Sequence, residues 1–513
     1  MSAGEPPADV TLDTLFRRVA AQNPGALALV DADNRATFTT GPALQLSYAE
    51  ADRAVSAVAA RLRQMDLPPG AVIGIQMPNI VENVVTLLGV LRAGMVAAPL
   101  PLLWRRAETA SALARVGAKA LVTSRQVGGF EQAHLAMAVA AEVFSIRYVC
   151  GFGGNLPDGI VAFDDLLNAA KGSDASDTVI REDAATDLAV LTFEVGANGP
   201  IAVPRRHIEL FAGGLAVVLE AEVPRSAAIL STIAPASFAG ISLALLPWLL
   251  TGGTLVLHHA FDAEVLTRQQ QYYAVTTSVL PGPVAVSLAA DESFQRGAPA
   301  AVLAAWRSPE QLAASGSWSA SGIACIDVAL FGETAVTAMR RPGDGSPRRL
   351  RLGPINAPYG GAGGVAVAEL ALTPANTLAW RGPMVPKGGF PPGLEGSDTS
   401  HLPSFGDGFI DSGYGAEVDP ADGSITVMRP PPDLITIGGY RFPLSRLRET
   451  VSRIDPLARL FALPDPLKGQ HLVGTSSDNA AMRLRLDAIG INPLVGAAFG
   501  EQAEAAVAGF AAA

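Results

Sequence analysis

Apolar positions along this chain fall into runs of two periods. "SYAEADRAVSAVAARLRQM" repeats its apolar residues at helical spacing and opens with Ser47 and Glu50, three apart, as in a capping box. "LPPG" stops that helix, and "AVIGIQ" follows as a short apolar run that predicts a buried strand. "NIVENVVTLLGVLRAG" predicts the next helix, stopped at Gly94, and "MVAAPL" the next strand; "AETASALARVGAKALVTS" repeats the unit. Strand–helix–strand alternation predicts an α/β protein with a parallel sheet covered by helices on both faces. The pattern resumes from Leu188 to about Val279. After about Arg349 it gives way to short strands among many Gly and Pro residues, as in "GPINAPYGGAGG", which predicts a β-rich subdomain over 350–427. "MRPPPD", Met428–Asp433, reads as an interdomain hinge. The expected division is a large N-terminal domain, 1–430, and a small C-terminal domain, 431–513.

Composition narrows the class. A chain of 513 residues exceeds one ordinary core, and 49% apolar against 17% charged residues describes a globular protein rather than a disordered one. The net charge of −11 argues against a nucleic-acid partner. Cys150 and Cys325 cannot form a disulfide framework, so a reduced, cytoplasmic setting is expected. The six histidines show no zinc-ligand spacing, so no metal site is expected. "MSAGEPPADV" has no basic region of the kind that opens a signal peptide. Ser226–Phe261 lacks charge entirely, yet Pro247 and Gly252-Gly253 interrupt it. A buried helix followed by the buried strand "TLVL" is expected there, not a membrane span.

One stretch carries candidate chemistry. "LTFEVGANGPIAVPRRH", Leu191–His207, has a strand-like start, Gly196 and Gly199, a proline, then a basic pair and His207. It has the form of a phosphate loop, but it has no lysine and no hydroxyl residue after Thr192.

The order and spacing of several segments resemble the AMP-forming acyl-CoA synthetases and the wider adenylate-forming ligases. "TLDTLFRRVAAQNPGALALVD" and "MPNIVENVVTLLGVLRAGMVAAPLPLLWRRAE" are similar to that family's opening, and "ILSTIAPASFAGISLALLPWLLTGGTLVL" to its next core segment. "WRGPMVP", "DGFIDSGYGAEVDPADGSITV" and "DLITIGGYRFP" follow in the family's order, so the resemblance covers roughly Thr11 to Gly474. It implies ATP, magnesium and CoA as cofactors, a carboxylate substrate, and a small C-terminal domain that rotates about a hinge.

Position by position, the resemblance implies lost chemistry. Glu194, Val195, Gly196, Ala197 and Asn198 fall on the family's Ser-Gly-Thr-Thr-Gly run, Pro200 on its proline and Ile201 on its lysine. A triphosphate needs N–H donors, hydroxyls and a cation, whereas Glu194 adds a negative charge and Ile201 removes the positive one. Gly196, Asn198 and Gly199 remain as the loop's remnant. In "FGETA" the adenine-flanking aromatic corresponds to Phe331, with Gly332 and Thr334 retained, while the magnesium-binding Glu is replaced by Ala335. Glu333, two residues earlier, is expected to point elsewhere. Ser412–Tyr414 falls on the ribose-binding Thr-Gly-Asp, so Tyr414 stands where the acid is expected. Asp433 keeps the hinge residue, and Gly438 and Gly439 keep the segment near the thiol tunnel. No lysine follows Lys468, and the C-terminal domain reads as reduced, with one or two Ala-rich helices. Phe238, in "PASF", falls where an aromatic walls the acyl pocket, with a plain core aromatic as the other reading.

No catalytic residue is expected to be intact. The expectation is a ligase-family protein weak or inactive in adenylation that still binds a small apolar carboxylate or acyl-CoA. Two alternatives stand beside it: an active carboxylate–CoA ligase with relocated residues, and a non-catalytic subunit that docks on a protein partner.

Overall fold

The computed structural model describes residues 10–168, 184–196, 199–297, 299–358, 364–387, 389–390 and 402–500. Two sheets make up most of the larger part. The first orders seven strands as 160–162, 148–152, 120–124, 72–76, 96–99, 188–196 and 199–206. Its neighbours are parallel except for the last pair, an antiparallel hairpin. The second orders eight as 335–340, 324–331, 301–306, 277–281, 228–231, 254–257, 27–30 and 45–47, parallel in the middle and antiparallel at each edge.

Local sequence explains the helices between them. Ser47 and Glu50 form the expected capping box at the start of Tyr48–Gln64, whose buried face runs through Tyr48, Ala51, Val55, Val58 and Leu62. The uncharged segment becomes Phe238–Gly240, a wider turn at Ile241–Leu245, and Leu246–Thr251, followed by the central strand Thr254–Leu257. Trp248 in it is fully buried, stacks on Tyr48 at 5.9 Å, and donates its indole N–H to the Gly253 carbonyl at 3.0 Å. Burying such side chains contributes about 1.5–3 kcal/mol each, which is why this stretch needs no charge. Among the described residues no helix is long and apolar enough to cross a membrane.

A third, antiparallel sheet holds the Gly/Pro-rich strands, ordered 350–351, 424–429, 409–418, 377–381, 365–372 and 353–357, with 404–405 beside 409–418. The fourth is a small antiparallel sheet ordered 440–443, 434–437, 469–475 and 459–465. The helices Leu444–Ile454, Asn479–Ala488 and Pro493–Ala497 accompany it, and together they enclose a separate core around Phe442, Val451, Met482 and Phe499. The architecture is the expected one: helix-covered sheets, a β-rich part and a small C-terminal α/β part.

Two local expectations change. Met428 and Arg429 belong to the strand Ser424–Arg429, so the connection to the fourth sheet is Pro430–Asp433. Glu194–Pro200, read as a loop, is mostly hairpin ladder, with Glu194 opposite Ile201, Val195 opposite Pro200 and Gly196 opposite Gly199. Burial of Phe193 and Ala202 on one face extends the pairing, and Pro200 and Pro204 are tolerated because their strand is the sheet's edge.

Candidate functional site

Several parallel strands from both large sheets end at one place. The segments after 72–76, 96–99, 228–231, 254–257, 277–281 and 301–306 converge there on a cavity of about 480 Å³. The crevice at the carboxyl ends of strands is where open α/β sheets place ligands, because successive connections diverge there. The fourth sheet closes the cavity with Thr436, Gly438–Arg441 and Leu467–Gly469. The walls include Leu102, Trp104, Phe193, Ile233, Pro281 and Val284 and are largely apolar.

Glu194, on the strand Leu188–Gly196, turns its carboxylate into a ring of donors. Its Oε1 accepts from the Val195 N–H at 2.9 Å and from Arg441 Nη1 at 2.7 Å, and its Oε2 accepts from the Glu333 N–H at 2.8 Å. Gly332 lets this happen. Its φ is +63°, and a Cβ there would lie 1.9 Å from Glu194 Oε2. The other end of Arg441 donates to the Tyr414 hydroxyl, which in turn donates to the Arg307 carbonyl at 3.4 Å. Burial drives the Tyr414 phenol well above its ordinary value, so it stays neutral. The neighbouring acids hold the Arg441 guanidinium firmly charged despite its burial.

A second polar group faces the same space. Arg307 Nη2 donates to Ser237 Oγ at 2.5 Å, and Nη1 lies 3.9 Å from Glu333 Oε1. Glu333 Oε2 accepts from the Phe238 N–H at 2.7 Å. Burial pushes the Glu333 carboxyl upward, opposed by Arg307 and aided by Glu194. Gly438 and Gly439, with φ of +55° and +89°, form the two-residue turn between the strands 434–437 and 440–443, a geometry that strongly favours glycine at both positions. That turn delivers Tyr440 and Arg441 and brings Gly439 against Arg307. Tyr440 Oη accepts from the Leu103 N–H at 3.3 Å, which ties the fourth sheet to the segment after the strand 96–99.

The expected site residues divide. Gly332, Gly438 and Gly439 line the cavity, and so does Glu333, contrary to the expectation that it points elsewhere. The sharp turn at Gly332 redirects it, while Ala335 starts the next strand fully buried. Phe331 is absent from the wall: its ring packs 4.6 Å from Trp380 and 5.5 Å from Tyr414 in the core. Phe238 is also core rather than pocket wall, with the Arg205 guanidinium 3.7 Å over its ring. Thr334 lies behind it, its carbonyl accepting from Arg205 Nη2 at 3.1 Å. Gly196 and Gly199 pair in the hairpin outside the cavity wall, and Asn198 lies outside the described residues. Asp433, at φ +64°, accepts from the Ser445 N–H at 2.8 Å at the start of Leu444–Ile454. Sequence reasoning missed Arg307, Tyr440 and Arg441, since Glu194 and Arg441 are 247 positions apart and no periodicity links them. Among the described residues no cluster of three or more His, Cys, Asp or Glu could hold a metal ion.

The AMP-binding enzyme family matches residues 16–333. A salicyl-AMP ligase / salicyl-S-ArCP synthetase of Mycobacterium tuberculosis (strain ATCC 25618 / H37Rv) is 31% identical over 199 residues, 38% of this chain and 33% of that protein. A 4-coumarate–CoA ligase-like 3 of Oryza sativa subsp. japonica is 26% identical over 288 residues, 53% of this chain and 46% of that protein. These matches span less than half of each relative. The fold is shared more widely. An amide bond synthetase, McbA, from Marinactinospora thermotolerans aligns with a TM-score of 0.68 at 18% identity over 94% of both chains. MbtA of Mycobacterium smegmatis aligns at 0.64 and 20% identity, over 94% of this chain and 88% of that one.

Proposed function

Because this chain belongs to the AMP-binding enzyme family, we propose that it is a member that binds a small apolar carboxylate, or its CoA ester, with little or no adenylation. The observation that carries this is the Glu194 carboxylate, which occupies the N–H donors and the Arg441 guanidinium that an anion at the hairpin would need. An entering phosphate would meet that carboxylate and Ile201, with no lysine from the hairpin to answer its charge. The residues present therefore do not fit a triphosphate, and no ATP-dependent step is assigned here. Ala335 and Tyr414, standing where the family resemblance expects a magnesium-binding and a ribose-binding acid, point the same way.

The same reading takes 1–430 and 431–513 as the two domains, on the strength of the separate core beneath the fourth sheet. It takes the setting as reduced and cytoplasmic, on two buried free thiols whose pKa values burial pushes up to about 12. One observation favours the alternative of an active ligase with relocated residues: Glu333 presents a carboxylate to the cavity two positions before Ala335.

ATP–pyrophosphate exchange across a panel of aryl and alkyl carboxylates decides between them. The expected result is exchange at background for the wild type and for Ile201→Lys, since one restored cation leaves Glu194 in place. Robust exchange by the wild type with any of these acids overturns the proposal.

A further inference from the structure

Resting on the reading that the cavity takes an apolar carboxylate, we infer that Arg307, with Ser237 beside it, is the anchor that binds the ligand's carboxylate.

Among the described residues three cations line the cavity, and they differ in what already answers them. Arg441 is paired with Glu194 at 2.7 Å. Lys468 is exposed on the strip contributed by the fourth sheet. Arg307 has a guanidinium with five N–H donors in a planar fork, and its side chain is 30% exposed. One donor goes to Ser237 Oγ, and the approach to Glu333 at 3.9 Å is beyond hydrogen-bond distance. Among the described residues its side chain has no other acceptor. Ser237 Oγ accepts from both Arg307 and the Gly240 N–H at 3.3 Å, so its own hydrogen has no acceptor among the described residues either.

Arginine and serine thus present unused donors side by side in a space walled by Trp104, Phe193 and Ile233. A carboxylate is the planar two-oxygen group that matches a guanidinium fork, and the apolar walls take its body. A cavity of about 480 Å³ suits a ligand of that size. Among the described residues Glu333 is the only carboxylate within 4 Å of Arg307. The Phe238 N–H holds its other oxygen, so it stays in place, and its ionised form repels an incoming anion.

Calorimetry with 2-naphthoate and octanoate, against 2-naphthamide and octanamide, separates charge recognition from apolar filling. The wild type is expected to bind each acid at least about tenfold more tightly than its amide, the scale of a charge-assisted hydrogen bond. Arg307→Gln should bring that ratio close to one, lowering acid affinity far more than amide affinity. Glu333→Gln, which keeps an oxygen for the Phe238 N–H and removes the charge, should strengthen acid binding several-fold. A merely structural arginine would not produce opposite, acid-selective effects from the two variants. If Arg307→Gln fails to fold, Glu333→Gln and Ser237→Ala carry the test, and acid affinity unmoved in both overturns the inference. Equal wild-type affinity for acid and amide overturns the anchor while leaving a binding cavity. Failure of all four compounds to bind overturns both the anchor and the carboxylate-binding reading. Pyrophosphate exchange, read separately, bears only on adenylation.

Discussion

Two buried ion-pair clusters in this protein have nearly the same chemistry and different consequences. Arg35 sits between Asp31, at 2.5 Å, and Glu82, at 2.5 and 2.9 Å, with all three side chains at most 4% exposed. Asp31 also accepts from the Val81 N–H at 2.8 Å and the Leu44 N–H at 3.0 Å, so this cluster stitches one region to itself around the start of the helix Val81–Arg92. The Glu194–Arg441 pair is 14% and 11% exposed, and its halves come from different sheets. The first cluster fixes a loop. The second joins the first sheet to the fourth, with Glu194 also accepting from two backbone N–H groups. A buried ion pair is poor evidence for stability in itself, because desolvation offsets attraction, so its role has to be read from what its halves belong to.

The sharpest way to break the comparison is to remove the arginine from each cluster. Arg35→Met leaves two carboxylates buried without a cation and should cost about 3–5 kcal/mol, read as a drop in the denaturant midpoint of the whole protein. Arg441→Met should cost less, about 2 kcal/mol, because Glu194 keeps two backbone N–H donors. Its signature should be local. Hydrogen exchange should rise in the fourth sheet and its helices while the two large sheets stay protected; uniform loss of protection across the chain would show that the pair does not tie separate parts together.

Acidity separates the clusters further. Two carboxylates on one guanidinium leave the first cluster with a net negative charge, and burial with repulsion from Asp31 raises Glu82 from 4.5 to about 7. Asp31 is raised as well, chiefly by burial. A carboxyl raised on folding stabilises the protein fully below its unfolded value, and that contribution is lost as pH rises through the folded one. Stability should therefore fall between pH 4.5 and 7, by no more than about 1.4 kcal/mol per pH unit from this group. Glu82→Gln should flatten that slope in denaturant titrations at fixed pH steps, and an unchanged slope would remove Glu82 from the account.

The most local expected effect concerns the seat of the Glu194 carboxylate. Gly332→Ala should cost about 1–3 kcal/mol for the left-handed φ of +63°, and further for displacing Glu194 Oε2, which the new Cβ would approach to 1.9 Å. In a double-mutant cycle, Glu194→Ala should recover the contact part and leave the backbone part. Strict additivity would mean that the carboxylate does not occupy the space beside Gly332.

The pattern of apolar positions made much of the frame legible. Ser47 with Glu50, the stop at Gly94 and the interrupted run from Ser226 to Phe261 each use local chemistry that acts within a few residues, so they can be read one segment at a time. The site was legible only where backbone conformation demanded a residue type, as at Gly332, Gly438 and Gly439. Phe238 and Phe331 pack in the core, an outcome that burial alone could not separate from a cavity wall. Phe238 lies beneath Arg205, whose charge, lowered by burial to a pKa of about 10, is held by carbonyls of Met384, Glu333 and Thr334.

What the sequence determined by itself was the succession of helices and strands and the break after Arg349, since each depends on neighbours in the chain. What only the tertiary structure decided was where charges meet. Glu194 and Arg441 are 247 positions apart, and Arg307 and Ser237 are 70 apart. Their pairing follows from two sheets ending at one crevice and a third part closing over it. Electrostatic partners are set by distance in space, and no local periodicity encodes that distance.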